Sequence, residues 1–462
     1  MKILLVNPPR VNGIPIIREE RCEIIERNSI IPPYSLLQIG KILIELKHDV
    51  TLIDANGENL RFKDIKLDGY NILIFRFTPT TFDHDLKITN RFRKKNPEGI
   101  IIGICFTLKT LWKEIMKEAD LDIFITGDYE VVIKDLFTNF QNYSNIKGIA
   151  YKKNKKIFHN EYIRNGFDYD SLGIPAYNLL KNFNFYKINA NTNEIFSIIY
   201  TSKGCPYKCN FCNVANTHLK TKSVDLVINE IKVLKDYGVQ LISFFDETFT
   251  LDRKRVLEIC NNLKYLNIKW YCNTRVNLID YELLNEMKRA GCAGISFGCE
   301  SGSQKILDIC NKGINLKDIE KAINFCKIIG IKTYCAFIFG LPGENKNTAN
   351  ETIKFVKKLK PNSAQFNIAV PYPGTKLYEK YSRDINWKKL YQDEALISLC
   401  ELSIKELNKI RKKAYRNLYF NPFWLYNNLL FIIKNPYETK LGINYFLKIM
   451  KNYFFYRMEK AH

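Results

Sequence analysis

The chain has 462 residues, 46% of them hydrophobic, so it is too long for one typical domain and apolar enough for two or three packed cores. Its formal charge of +22 is spread as lysines along the whole length with no recognition motif attached, so nucleic acid is not an expected partner. No apolar run approaches the roughly 20 residues that a membrane-spanning helix needs, and Met1–Pro9 is too short before its prolines for a signal peptide, so a cytosolic protein is expected.

Residues 1–140 alternate strand and helix patterns. Lys2–Val6 reads as a strand, and Ser35–Lys47 carries Leu36, Leu37, Ile39, Ile42, Leu43 and Leu46 at helical spacing. Further strands are expected at Val50–Asp54, Asn71–Phe75, Gly99–Ile104 and Leu121–Gly127. This alternation predicts a parallel, doubly wound sheet of the Rossmann-like, flavodoxin type, which binds ligands at the carboxyl ends of its strands. Residues 141–193 read as a linker with a small hairpin around Gly148–His159 and its lysine-rich turn.

A second alternating series fills 194–389. Its strands are expected at Ile195–Tyr200, Gln240–Phe245, Lys269–Asn273, Gly294–Gly298, Lys332–Phe339 and Ser363–Val370. Helices at Ser223–Tyr237, Lys254–Leu266, Tyr281–Ala290, Leu316–Ile329 and Ala349–Leu359 lie between them. Six βα units are too few for a closed eight-stranded barrel and suit an open, partial one, active at its carboxyl strand ends. From 390 to 462 the chain reads as mostly helical, basic and aromatic, with amphipathic stretches at Ile404–Tyr419, Leu425–Ile433 and Tyr445–Tyr456. That tail suits either packing on the barrel or peripheral contact with a membrane.

Thirteen cysteines in a cytosolic protein are not expected to pair as disulfides. Ten lie singly (Cys22, Cys105, Cys260, Cys272, Cys292, Cys299, Cys310, Cys326, Cys335, Cys400) and read as small buried hydrophobes. The other three, Cys205, Cys209 and Cys212, follow the first strand of the second series with the spacing Cys-x-x-x-Cys-x-x-Cys. Three thiolates on one loop suit a metal or iron–sulfur cluster, with either a distant fourth ligand or one open iron.

These cysteines, with aromatic Phe211 before the last, resemble the cluster motif of the radical S-adenosylmethionine superfamily. The order of domains resembles the branch that carries an N-terminal cobalamin-binding-type domain. The resemblance implies a 4Fe–4S cluster on Cys205, Cys209 and Cys212 whose open iron is chelated by S-adenosylmethionine. It also implies an external one-electron donor such as a ferredoxin or flavodoxin. At the second strand's end it places the methionine amino group on Glu247, with Asp246 as the alternative, and at the third it places the methionine carboxylate on Arg275, unless that residue only makes a surface salt bridge. Glu300 and Ser301 match the segment that contacts ribose. Ile338 and Gly340 match the segment that touches adenine, with glycine permitting close approach of the ring.

The N-terminal domain departs from the pattern. It has no Asp-x-His-x-x-Gly motif, and His48, His84 and His159 are isolated. Gly103-Ile104-Cys105-Phe106 stands where many relatives carry Gly-Gly-x-His, with bulky Ile104 where backbone would approach the corrin. Gly127-Asp128-Tyr129-Glu130 likewise replaces Gly-Glu-Gly-Glu. Cobalamin-dependent methylation of an unactivated carbon is the expected reaction. The alternatives are radical C–C bond formation, cyclisation or oxidation of a lipid-like or tetrapyrrole substrate over a vestigial cobalamin domain, or a non-catalytic iron–sulfur or RNA-binding role. A methylthio-transferring relative is set aside, because it would bring a second cysteine trio and only Cys22 and Cys105 lie in the N-terminal domain.

Overall fold

The computed structural model describes residues 1–19, 29–140, 142–162, 167–187, 194–381 and 385–419. Five parallel strands, β1 (Lys2–Asn7), β2 (Asp49–Asp54), β3 (Ile72–Arg76), β4 (Ile100–Ile104) and β5 (Ile123–Ile125), pair in the order β2-β1-β3-β4-β5. Between them run α1 (Tyr34–Glu45), α2 (Phe82–Asp85), α3 (Lys87–Lys95) and α4 (Trp112–Glu118), and α5 (Tyr129–Thr138) follows β5. Ile3–Val6 and Ile72–Phe75 are buried on both faces, which is why these strands read as continuous apolar runs rather than alternating ones. The hairpin β6 (Ile149–Lys153) and β7 (Lys156–Asn160) is not a free-standing linker element. It adds two antiparallel strands to β5, making a seven-stranded sheet. Its two-residue turn puts Asn154 and Lys155 at φ of 51° and 61°, which matches the twist of the flanking strands.

The second sheet is β8 (Phe196–Ile199), β11 (Leu241–Phe244), β12 (Lys269–Thr274), β13 (Cys292–Glu300), β14 (Lys332–Phe339) and β15 (Ser363–Ile368), parallel and in chain order throughout. A two-stranded hairpin, β9 (Ser202–Lys203) with β10 (Lys220–Thr221), interrupts the series after β8. The helices are α6 (Val224–Asp236), α7 (Arg253–Leu263), α8 (Tyr281–Arg289), α9 (Gln304–Ile309), α10 (Leu316–Ile329), α11 (Lys346–Leu359), α12 (Lys376–Tyr381) and α13 (Ile404–Tyr419). This is the open, partial (β/α)6 barrel that the strand count predicts. Ile242, Phe244, Trp270, Cys272, Ile295 and Phe297 are buried on the face that packs against the helices. Alternate residues Ser243, Asn273, Ser296 and Ala336 are half-buried on the inner face.

Six single cysteines of the barrel, Cys260, Cys272, Cys292, Cys299, Cys326 and Cys335, are filling in the main core, and Cys310 packs in a separate cluster beside the cysteine loop. Burial pushes the thiols of Cys260 and Cys326 up to about 12, so they stay neutral. Residues 390–403 are irregular rather than helical. The amphipathic face of α13 seals the exposed edge of β15. Arg411 Nε donates to Phe366 O at 2.7 Å, Phe366 N donates to Tyr415 Oη at 3.1 Å, and Tyr419 Oη donates to Ala364 O at 3.2 Å. Leu425–Ile433 and Tyr445–Tyr456 lie outside the described residues. Among those described, no helix is long and apolar enough to cross a membrane.

Candidate active site

The cysteine loop, 204–219, is the excursion between the two strands of the β9–β10 hairpin. Gly204 opens it at φ of 99°, where an added Cβ would stand 2.0 Å from His218 O, so only glycine fits. Thr217 closes it: Cys205 N donates to Thr217 Oγ1 (2.8 Å) and Thr217 N to Cys205 O (2.9 Å). Its far side docks on the end of α9, where Asn210 N donates to Cys310 O (3.0 Å) and Asn210 Nδ2 to Ile309 O (3.0 Å). Cys205 and Cys209 are buried and Cys212 is half-buried. No three His, Cys, Asp or Glu side chains among the described residues converge tightly enough for a single metal ion. A cluster, by contrast, takes one thiolate per iron, so its ligands stand apart around it.

The strand ends facing the loop divide into groups already engaged and groups that open inward. Asp246 is fully buried and accepts from Thr201 N (2.7 Å), Thr201 Oγ1 (2.6 Å) and Ser202 Oγ (2.6 Å), so it fixes the chain entering the loop. Glu247 accepts from Gly204 N at 3.1 Å and lines an open cleft. Of the two carboxylates expected for one role, Glu247 is the one that lines the cleft and Asp246 the one held by the chain entering the loop.

Arg275 does not form a surface salt bridge. It is 5% exposed, stacked 3.6 Å above the ring of Tyr207, with Nη1 3.6 Å from Cys209 Sγ. Glu300 sits at a register shift of β13 against β14, in a left-handed conformation (φ 61°) that is costly for a side-chain-bearing residue. Its carboxylate is held by the buried Lys312 ammonium at 2.6 Å. Burial alone would lower the pKa of Lys312, but Glu300 and Cys209 outweigh it and hold it above the ordinary lysine value.

Ser301 is turned into its own loop. Its hydroxyl accepts from Ser303 N (3.1 Å) and meets Thr352 Oγ1 (3.2 Å), so it is engaged within that loop and with α11. Phe211 and Ile338 are brought together in one apolar cluster with Ile306 and Leu341. Gly340 has φ of 86°, and the space where a Cβ would go is bounded by Leu407 of α13 and by Ala369. At that positive φ, glycine is what the turn requires.

Gly340 N donates to Glu344, which is fully buried and whose Oε1 has no partner. Burial raises this carboxyl to about 8 against the backbone hydrogen bond that lowers it. The folded state therefore binds the proton more tightly than the unfolded chain does. The resulting contribution to stability is complete below the ordinary value of 4.5 and is lost as pH rises through about 8. Glu344→Gln should flatten that decline in melting temperature between pH 5 and 9.

The cleft, about 620 Å³ including its open mouth, lies between the two α/β units. Phe106, Asp128, Tyr129 and Glu130 from the carboxyl ends of β4 and β5 face Lys203, Gly204, His218, Lys220 and Glu247 from the barrel. Ile104 does not enter it, being 3% exposed within the core, and the aromatic ring that reaches the cleft from this loop is Phe106. Two ion pairs cross at its rim, Lys203 with Glu130 and Lys220 with Asp128, from positions paired across the β9–β10 hairpin. The pairing residues are 73 and 92 apart in sequence, so no local pattern announces them. Lys203→Glu should cost on the order of 2–3 kcal/mol by opposing two carboxylates, and adding Glu130→Lys should recover most of it, as read by the order of melting temperatures.

Fold and loop together define a two-unit α/β enzyme whose cysteine trio leaves the first strand of a partial barrel. The family model described as the radical SAM superfamily matches residues 199–356. An uncharacterized methyltransferase, PH0819 of Pyrococcus horikoshii, is 32% identical over a 469-residue alignment covering 96% of this chain and 99% of that protein. The anaerobic magnesium-protoporphyrin IX monomethyl ester cyclase of Cereibacter sphaeroides is 27% identical over 288 residues, 58% of this chain and 46% of that one. Among solved structures, the radical S-adenosylmethionine methyltransferase TsrM from Kitasatospora setae, with cobalamin and a [4Fe–4S] cluster bound, has the same fold. Its TM-score is 0.65 at 16% identity, over 82% of this chain and 74% of that one. The chain belongs to the radical SAM superfamily.

Proposed function

We propose that this protein is a cobalamin-dependent radical SAM methyltransferase acting on an unactivated carbon. The observation that carries the proposal is the shared cleft. Glu247 and the start of the cysteine loop open onto the same space as the carboxyl strand ends of the N-terminal sheet, where doubly wound folds bind their ligands. The residues fit the groups this requires. Cys205, Cys209 and Cys212 supply three thiolates and leave one iron of a 4Fe–4S cluster for a cosubstrate. Phe106, Tyr129 and the Lys203–Glu130 pair line the face available to cobalamin with no histidine from the N-terminal sheet among them, so binding without a protein ligand from that sheet is the form they suit.

Bound there, cluster and cobalamin would supply, respectively, the electron that splits S-adenosylmethionine to a 5′-deoxyadenosyl radical and the transferred methyl group. The chain's own part is to bind and to enclose. Glu247 accepts from the methionine ammonium, the Glu300–Lys312 pair presents a carboxylate toward the ribose side, and Phe211 with Ile338 forms an apolar wall. Asp246 acts one step back, fixing the loop's entry. The end-to-end similarity to a methyltransferase, 32% identical over 96% of this chain, favours methylation over cyclisation, since the cyclase relatives are 24–30% identical over 58–82% of it.

An external ferredoxin or flavodoxin would supply the electron, in a cytosolic setting. Peripheral membrane contact is part of the same proposal, through residues beyond 420, where aromatic and basic residues interleave. Liposome flotation unchanged by truncation at 420 would remove that element.

The test of function is anaerobic reconstitution with iron, sulfide and hydroxocobalamin, followed by assay with S-adenosylmethionine and dithionite. Formation of 5′-deoxyadenosine together with stoichiometric cobalamin uptake supports the reading. Deoxyadenosine without cobalamin uptake returns the N-terminal domain to a vestigial scaffold, and absence of both refutes the class of reaction.

A further inference from the structure

We infer that Arg275 is a positioning residue for the cluster's electronics, acting through the sulfur of Cys209, rather than chiefly a grip for the methionine carboxylate. This rests on the proposed cluster. Several observations of independent kinds converge on it. The guanidinium is buried, and all three of its nitrogens are engaged within the protein: Nε with Asn277 Oδ1 at 3.3 Å, Nη1 with Cys209 Sγ at 3.6 Å, and Nη2 with Lys312 O. One flat face lies on Tyr207 at 3.6 Å, a cation–π contact inside the cysteine loop itself. The fork is thus clamped by the loop two residues before Cys209 and by the backbone after α9. A carboxylate grip would need a bidentate edge free of such clamps.

The surrounding charge points the same way. Lys312, whose backbone Arg275 holds, has its own charge matched by Glu300 at 2.6 Å. Among the described residues no carboxylate pairs with Arg275, so it is the cation beside Cys209 whose charge is not offset by an ion pair. Cys205, by contrast, has the neutral hydroxyl of Thr248 at 3.9 Å. Iron–sulfur potentials are set by net charge, hydrogen bonds to sulfur and exposure. A buried cation donating to a ligating sulfur stabilises the reduced, more negative cluster, so it makes electron uptake from the external donor easier. Tyr207 holds the guanidinium in place for this, which gives an otherwise unremarked aromatic of the motif a role.

The test is a redox titration of the reconstituted protein without S-adenosylmethionine, followed by electron paramagnetic resonance, with binding of S-adenosylmethionine measured separately. Arg275→Gln should shift the midpoint to a more negative potential and Arg275→Lys should shift it less. Tyr207→Leu, which leaves the charge and loosens its seat, should shift it in the same direction. Affinity for S-adenosylmethionine should change by less than about threefold, well short of the roughly tenfold loss expected when a charge-assisted bond is removed. Unshifted potentials with a tenfold or greater loss of affinity would overturn the inference in favour of the carboxylate grip. If Arg275→Gln fails to hold a cluster, Arg275→Lys and Tyr207→Leu decide. If the unsubstituted protein takes up no iron, the failure belongs to the proposed class of reaction and not to Arg275.

Discussion

Replacing Cys205 by alanine is expected to reduce cleavage of S-adenosylmethionine to background, a loss of roughly a thousandfold or more, because no other route to the radical exists in such a site. Cys205 is buried and is tied into the loop by its backbone in both directions, through Thr217 and its neighbours. Removing its sulfur takes away a ligand without removing those bonds, so the loop should keep its shape while the cluster is lost or left incomplete. Iron quantitation and the visible absorption of the reconstituted variant would separate these outcomes from unfolding. Cys326→Ala is the contrasting substitution. Its thiol is buried between helix and sheet and held neutral, so cluster content should match the unsubstituted protein. Glu247→Gln should fall between them, keeping the cluster but weakening cosubstrate binding by about tenfold to a hundredfold, the size of a lost charged hydrogen bond. Cleavage that survives Cys205→Ala would remove the cluster from the mechanism.

Much of this arrangement is legible in the residues alone, for local reasons. Leu316–Ile329 is read with the bounds it has in the structure, because Asn315 and Asp318 cap its start reciprocally and Gly330 ends it in a left-handed conformation. Periodicity of two and of 3.6 likewise separates strands from helices through both α/β series. Spacing alone picks out Cys205, Cys209 and Cys212, whereas the Asp246-Glu247 pair is singled out at its strand end by the family resemblance.

What the sequence does not carry is direction and distant pairing. Whether Asp246 or Glu247 faces the cleft depends on which one Thr201 and Ser202 already occupy. The β9–β10 hairpin has two residues per strand, too few to form a pattern, yet it defines the whole cysteine loop. Lys312 shows no local signal, and its importance appears only once β13 folds Glu300 back over it. The hairpin at 149–160 is audible in sequence, but its partner, β5, is not.

Disrupting the buried junction of the two units should be the largest effect on stability. Lys222 and Glu230 are 1% or less exposed and pair at 2.5 Å, and Glu230 also accepts from Tyr177 Oη at 2.8 Å and Tyr34 Oη at 3.1 Å. Lys222 in turn donates to Tyr34 Oη at 2.7 Å. Burial, and then the charge of Glu230, raises both phenols well above their ordinary value, so they remain protonated donors. The network joins the first turn of α1, the segment before β8 and helix α6, and so unites three distant parts of the chain. Lys222→Met would strand a carboxylate with two hydroxyls and no cation, at a cost of about 3–5 kcal/mol. Lys222→Met with Glu230→Leu removes both charges and should be less destabilised than either single change, since what remains unsatisfied is two neutral hydroxyls. Unfolding a chain of two packed units need not be two-state, so the order of melting temperatures is the firmer readout. A double variant less stable than both singles would show that the pair contributes net stability. The expected order would show that its use lies in fixing how the units meet. That geometry is what brings Glu130 and Asp128 to Lys203 and Lys220, and hence the N-terminal sheet to the mouth of the cysteine loop.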